Sequence, residues 1–403
     1  MLRRGARLVL AALLAALAFA GLAAGLRRAY TSRVHGGYDL YIPWAATCGW
    51  VKDGRDPYSP QTTLSIQEAV YGRPARPGEI QADFAYPAYA ALLTIPFCLT
   101  DDFSIVYAVA LSAFLVCVVA TAVLARRATG WQPASWLWIW SLVWIILLYP
   151  TARGLLLGQL AVVVALIQVA ALEALHRRQD ILAGSALALT TIKPQMALLL
   201  VPVVLFWSAW QRRWRVPGAF AVVLGLLVLI PMIWLPNWLI SWLEELRQYT
   251  GYTEFGSVTW ILTTHALGAP AAVEAVVTFA LLAWLALEVW RARQAPFDQM
   301  LWLAALTLVL THFVSPRTAT THFGPLLVPL FMIFRVLQRP GERRTALVAA
   351  LLPAAAVLSW ALFLTTVAGI QESAWNYVPI PLALLLALLW LRRPWMRLVK
   401  EAS

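Results

Sequence analysis

Across 403 residues the charged fraction is only 12 %, the hydrophobic fraction is 61 % and mean hydropathy is +0.73, so lipid rather than water is the main solvent of this chain. Its net charge of +12 sits in short basic clusters between apolar runs, a pattern that orients membrane helices and argues against a nucleic-acid partner. The three cysteines, Cys48, Cys98 and Cys117, are odd in number and lack metal-ligand spacing, so neither a metal site nor a disulfide framework is expected.

In chain order, spans are predicted near 8–26, 103–125, 134–150, 154–175, 181–192, 195–210, 216–235, 270–291, 299–315, 322–337, 346–367 and 377–392. The expected fold is an all-α polytopic membrane protein of about twelve transmembrane helices, one integral membrane domain over 1–403. A long first extracytoplasmic loop fills 27–102, and the remaining helices follow over 103–403. The first apolar segment resembles a cleaved signal peptide in its basic start, but its length and the absence of a small-residue cleavage site before Arg27 and Arg28 favour a first span.

Basic residues set the orientation. Starting inside with Arg3, Arg4 and Arg7, the inner connections carry Arg126/Arg127, Arg177/Arg178, Arg212/Arg213/Arg215, Arg291/Arg293, Arg335/Arg339/Arg343/Arg344 and Arg392/Arg393/Arg397/Lys400. Short outer connections carry no more than one each, such as Arg153, Lys193, Arg247 or Arg317, so both termini are expected in the cytoplasm of a plasma-membrane protein.

Two segments test this topology. "YPAYAALLTIPFCL", 86–99, is short, rich in proline and followed by Asp101 and Asp102, and is read as an interfacial or re-entrant helix on the outer face. The run 181–210 is read as a hairpin with Lys193-Pro194-Gln195 at its tip, because one continuous span would carry "QRRWR" outside. Its first arm of 12 residues reaches roughly 18 Å, well short of a bilayer core, so the tip should lie below the outer surface in a cavity.

The first loop begins "YDLYIPWAATCGWVKDGRDPYSP", with one acid, Asp39, among aromatics close to the membrane boundary. Asp39 could cap a helix starting at Leu40, or act as a base. Asp53 and Asp56 read as turn residues around Gly54 and Pro57, and as an Asp-x-x-Asp pair they lack a third metal ligand. Lys193 is the strongest candidate cation, since ionisable residues at membrane depth face cavities or partners rather than lipid. Arg153 and Arg317, at outer span ends, could bind an anion or snorkel to headgroups. Gln159, about a turn and a half below Arg153 on a continuous helix, could bind substrate or cross-bond helices. His322 could orient a ligand, His312 reads as a packing histidine, and His265 has no motif support.

Several stretches resemble glycosyltransferase family 87 in order along the chain. "YDLYIPWAATCGWVKDGRDPYSP" is similar to the family's first-loop pattern, "FAYPAYAALLTIPF" (which contains Tyr86) to its Phe-x-Tyr-Pro-Pro segment, and "GQLAVVVALIQVAAL" to its Gly-Gln-x-Asn run. "AGSALALTTIKPQMALLLVP" resembles the Ala-Gly…Lys-Pro segment and "SPRTATTHF" the Ser-Pro…His segment, while Ala88, Leu160, Ala161, Thr320 and Thr321 depart from the pattern.

The resemblance implies an inverting membrane hexosyltransferase of type C architecture, mannosyltransferase-like, working on the extracytoplasmic side. Its implied donor is a polyprenyl-phosphate-linked sugar and its acceptor a lipid or glycan, with membrane lipids as surroundings. Asp39 would be the catalytic base, and Lys193, Arg153, Gln159, His322, Arg317 and Tyr86 would bind substrate. No metal or cofactor is called for, because Arg and Lys can stabilise a departing monophosphate. Two other classes stay open: a transporter or flippase of a lipid-linked sugar, for which the sequence offers one broken helix rather than the matched pair of an internal repeat, and a non-catalytic scaffold.

Overall fold

The computed structural model describes residues 2–34, 36–76, 79–252, 256–338, 342–369 and 371–402, so Arg339 of the expected inner connection lies outside the described residues. Among them there is no strand, only one isolated bridge between Ala368 and Gln371. Seven helices are long and apolar enough to cross a membrane: 6–31, 103–129, 215–232, 271–291, 297–314, 344–366 and 374–399. The pair 135–147 and 149–157 adds an eighth span if its 56° bend lies within one crossing. Four further apolar helices, 161–176, 180–190, 200–210 and 324–337, are shorter.

The chain divides into two compact units. The first comprises Met1–Cys117, Leu155–Leu160 and Asn237–Tyr252. Within it, the segment after the first helix is well structured, with helices Tyr38–Asp53 and Pro60–Tyr71 followed by 3-10 turns Ala88–Leu93 and Ile95–Leu99. The 86–99 stretch is thus two short turns and not a spanning helix. Arg27 pairs with Asp102 at 2.7 Å and Thr31 donates to the Ser104 carbonyl at 2.7 Å, which ties the two ends of this segment together. Ser59 caps the second helix ahead of Pro60, and Gly54 and Gly72 close the two helices in the left-handed region that glycine tolerates. Two bonds from Arg73, with one from the Arg76 backbone, draw the half-buried Glu79 carboxyl down to about 2.

One expectation is corrected here. Cys48 and Cys98 form a disulfide across 50 residues, with Cα atoms 5.2 Å apart. Cysteine number and spacing did not show it, because the pairing depends on the tertiary approach of helix Tyr38–Asp53 to the turn Ile95–Leu99. Trp44 donating to the Phe97 carbonyl and the Thr47–Thr94 hydroxyl bond fix that approach. Cys117 remains a thiol.

The second unit comprises Val118–Gly154, Ala161–Pro236 and Thr253–Ser403. Helix Phe297–Val314 lies at its core and is 78 % buried over its most apolar window, whereas 271–291 and 215–232 are 11 % and 17 % buried and turn their apolar sides outward. Small residues permit the closest packing: Gly184 backs onto the Val216 carbonyl, where a Cβ would come within 2.2 Å. Between helices Asp180–Thr190 and Leu200–Trp210 the chain breaks at Thr191–Lys193 and restarts as the short turn Pro194–Ala197, as the Lys-Pro pair suggested.

Candidate active site

Helix Tyr38–Asp53 begins two residues earlier than a cap at Asp39 would require. Its N-cap is Gly37, with φ +71°, and Asp39 lies in the first turn, where the positive end of the helix favours a carboxylate. Opposite it, helix Tyr149–Leu157 ends, and Gly158 turns the chain with φ +72° before helix Ala161–His176 starts. Gln159 therefore occupies a break, not the continuous helix expected from sequence. Its Nε2 donates to Asp39 Oδ2.

Close backbone approach makes this meeting possible. The Leu156 carbonyl at the helix end accepts from the Gly37 N–H at 3.2 Å and from the Tyr107 hydroxyl at 2.6 Å, so an otherwise orphaned acceptor is satisfied. A Cβ on Gly158 would fall 2.7 Å from Leu40 Cβ, and one on Gly37 would fall 2.9 Å from the Tyr107 ring. Asp39 is half-buried beside the Gln159 amide, and on the same helix Tyr41 and Trp44 cluster with Phe103 of helix Phe103–Thr129.

In the second unit Lys193 is 4 % exposed, and its Nζ lies 3.3 Å from Nε2 of His322, itself 6 % exposed. Since an ammonium can only donate, the imidazole accepts at Nε2 and is neutral. Gly324 brings the His322 turn against helix Ala161–His176, with room for nothing larger at Ala165, where a Cβ would sit at 2.7 Å. His322, Arg317, Gln168, Gln195 and His312 line a narrow cleft with room for about one water molecule. Gln168 donates to the Met196 carbonyl at 2.8 Å, and its buried Oε1 has no partner among the described residues. His312 bonds Thr318 at 2.7 Å and packs edge-on to Phe323, as expected of a packing histidine.

Arg153 lies inside the short helix Tyr149–Leu157 and pairs at 3.5 Å with Glu372, a residue the sequence did not single out. The Glu372 carboxylate is 5 % exposed and accepts from the Tyr149 hydroxyl at 2.6 Å and the Thr320 hydroxyl at 2.9 Å. No local pattern marks Glu372; its partners lie 223 and 52 residues away.

The remaining candidates have local roles. Asp56 accepts from the Tyr58 backbone at 2.9 Å in a turn, and Asp53 pairs with Arg55 on the surface, both in keeping with turn residues. Tyr86 packs near Phe84, and its carbonyl accepts the Tyr58 hydroxyl at 2.7 Å. His265 stacks on Trp260. Among the described residues no group of three or more His, Cys, Asp or Glu side chains could hold a metal ion.

The fold and these clusters define a polytopic helical membrane protein with charged side chains gathered in specific buried sites. The family model of glycosyltransferase family 87 matches residues 84–316, more than half the chain, and the protein belongs to that family. It is a membrane glycosyltransferase, and as such uses a sugar donor and an acceptor. Tyr86, Arg153, Gln159 and Lys193 fall within the matched residues, Asp39 precedes them, and Arg317 and His322 follow. No curated protein and no solved structure matches the chain.

Proposed function

We propose that this enzyme transfers a sugar, mannose being the expected one, from a polyprenyl-phosphate donor to a lipid or glycan acceptor on the extracytoplasmic face of the plasma membrane. The observation that carries the proposal is the Asp39–Gln159 pair: a half-buried carboxylate at a helix N-terminus, aimed by a neutral amide. In the reaction the acceptor hydroxyl oxygen attacks the anomeric carbon and its proton passes to Asp39. The bond from that carbon to the phosphate oxygen breaks, and the polyprenyl phosphate leaves with the electron pair. A single displacement of this kind inverts the anomeric centre.

The leaving phosphate gains negative charge, which cations stabilise most where water is scarce. Lys193, with the neutral His322 beside it, and Arg317 on the same cleft supply that charge, and Arg153 adds a guanidinium. The cleft is too narrow for a sugar ring, so it suits phosphate oxygens or water and leaves the sugar outside.

The proposed topology has twelve crossings, with both termini cytoplasmic. Among the described residues, seven long apolar helices, one bent pair and four shorter apolar helices support this reading. The Cys48–Cys98 disulfide supports an outer location for the first loop, since such bonds persist in oxidising compartments. Labels placed near residues 178 and 212 should report the cytoplasmic face, and labels in 27–85 the outer face; opposite faces for 178 and 212 would break the hairpin. The chemical test is to incubate purified protein with a radiolabelled polyprenyl-phosphate sugar and membrane lipid extract. Label should move into a new product with the wild-type protein and stay on the donor with Asp39→Asn. Label that crosses a vesicle membrane while remaining on its donor carrier would instead identify a flippase.

A further inference from the structure

Glu372 lies on a loop shaped by the Ala368–Gln371 bridge, beyond the residues matched by the family model. Four groups converge on its carboxylate. Tyr149 donates at 2.6 Å, Thr320 donates to both oxygens at 2.9 and 3.1 Å, Tyr377 adds a third hydroxyl, and Arg153 approaches with Nε at 3.5 Å. A buried carboxylate so satisfied has few lone pairs left for a ligand.

Its effect falls on Arg153. The guanidinium is held on three sides: Glu372 along its Nε edge, the Tyr149 hydroxyl at 3.2 Å from Nη1, and the Phe363 ring with its centroid 5.9 Å from Cζ. Phe363 is stacked on Tyr149 with centroids 4.5 Å apart, so the same tyrosine braces both acid and ring. The side chain is 18 % exposed, so part of the guanidinium faces its surroundings. Arg offers five N–H donors in a rigid fork, and a fork fixed along one edge presents the other to an anion in one orientation. Thr320 stands two residues before His322 in the same 3-10 turn, so Glu372 also anchors the turn that places the Lys193 partner.

We propose that Glu372 is a positioning residue, holding Arg153 and the His322 turn in the arrangement that receives the phosphate of the lipid-linked donor. This rests on the reading above that Arg153 meets that phosphate.

The test uses full-length protein in lipid nanodiscs with a polyprenyl-phosphate sugar, comparing Glu372→Gln, Arg153→Ala and the double variant for donor KM, kcat and thermal stability. Glu372→Gln should raise donor KM by about tenfold with a smaller change in kcat, the scale of one lost charge-assisted bond. The double variant should fall short of the product of the two single KM penalties, because the acid acts in part through the arginine. Donor KM unchanged in Glu372→Gln, or KM penalties that multiply in the double variant, would overturn the role of Glu372 while leaving the phosphate site in place. Donor KM unchanged in Arg153→Ala overturns the arginine reading itself and this proposal with it. If Glu372→Gln does not accumulate, Glu372→Asp withdraws the carboxylate by one methylene while keeping its charge. A donor KM raised about threefold or more is then expected, and an unchanged KM overturns the proposal.

Discussion

Asp39 and Glu372 are both carboxylates within an apolar protein, yet their surroundings fit them for opposite work. Asp39 is half-buried at a helix N-terminus and takes a hydrogen bond from the neutral Gln159 amide. Glu372 is buried, accepts from hydroxyls and faces the Arg153 guanidinium. A base must have room to gain a proton, and a strut must not. On the reading proposed above, the buried Glu372 in its ion pair serves structure and the more exposed Asp39 serves chemistry.

The largest expected effect breaks the comparison on the first side. Asp39→Asn is nearly isosteric and should lower turnover by about two orders of magnitude or more, with thermal stability and donor KM almost unchanged. Asp53→Asn and Asp56→Asn, which alter turn residues of the same segment, should cost less than about twofold. Near-normal turnover in Asp39→Asn together with loss in either of the other two would move the base elsewhere in the loop.

Next in size is Lys193, the buried cation beside His322. Lys193→Ala should raise donor KM by about tenfold or more, and Lys193→Arg less, since charge and position both matter at a phosphate. Donor affinity unchanged in folded Lys193→Ala protein would remove this residue from the site.

The third prediction asks what holds each acid in place. The helix bearing Asp39 is stapled by Cys48–Cys98, whereas Glu372 is held by hydrogen bonds and its ion pair with Arg153. Replacing both cysteines by serine should destabilise the first unit by about 4 kcal/mol on a chain-entropy estimate for a loop of this size. Proteolysis in detergent should accordingly start between residues 54 and 100 in the variant, and an unchanged cleavage pattern would mean that the staple adds nothing.

The smallest effect concerns a third carboxylate, the half-buried Glu245. Burial first, then the Asp83 and Glu244 charges, push Glu245 up to about 7, with its Oε2 lacking a partner among the described residues. The folded state therefore keeps a proton that the unfolded state gives up near 4.5, so stability falls as pH rises between those values. Glu245→Gln should flatten that decline, seen as a smaller difference in melting temperature between pH 5 and pH 8; an equal difference would show that Glu245 is not its source.

Much of this organisation was legible in the sequence wherever it was local. Hydropathy located the apolar helices, the Lys193-Pro194 pair located the break, and ordered motifs pointed to the family that the match over 84–316 establishes. Contacts made by distant residues were not legible. The Cys48–Cys98 pairing and the Glu372 hub depend on approaches across 50 to 223 residues, and neither leaves a periodic or compositional trace. Gln159 was found by motif but placed on a continuous helix, because the positive φ of Gly158 follows from the crowding of Leu40 against it, which hydropathy does not register.

The two glycines beside the acid carry a consequence for anyone scanning this protein by saturation mutagenesis. Gly37 and Gly158 both hold left-handed backbone against a neighbour within 3 Å of any added Cβ, so no side chain fits without prying the two chain segments apart. A library scored for product alone would show both positions as blank as Asp39 and would count them as chemistry. Scored for folded protein as well, the glycines should lose abundance while Asp39→Asn keeps it, and a map of the active site drawn from such a library would shrink from three residues in this stretch to one.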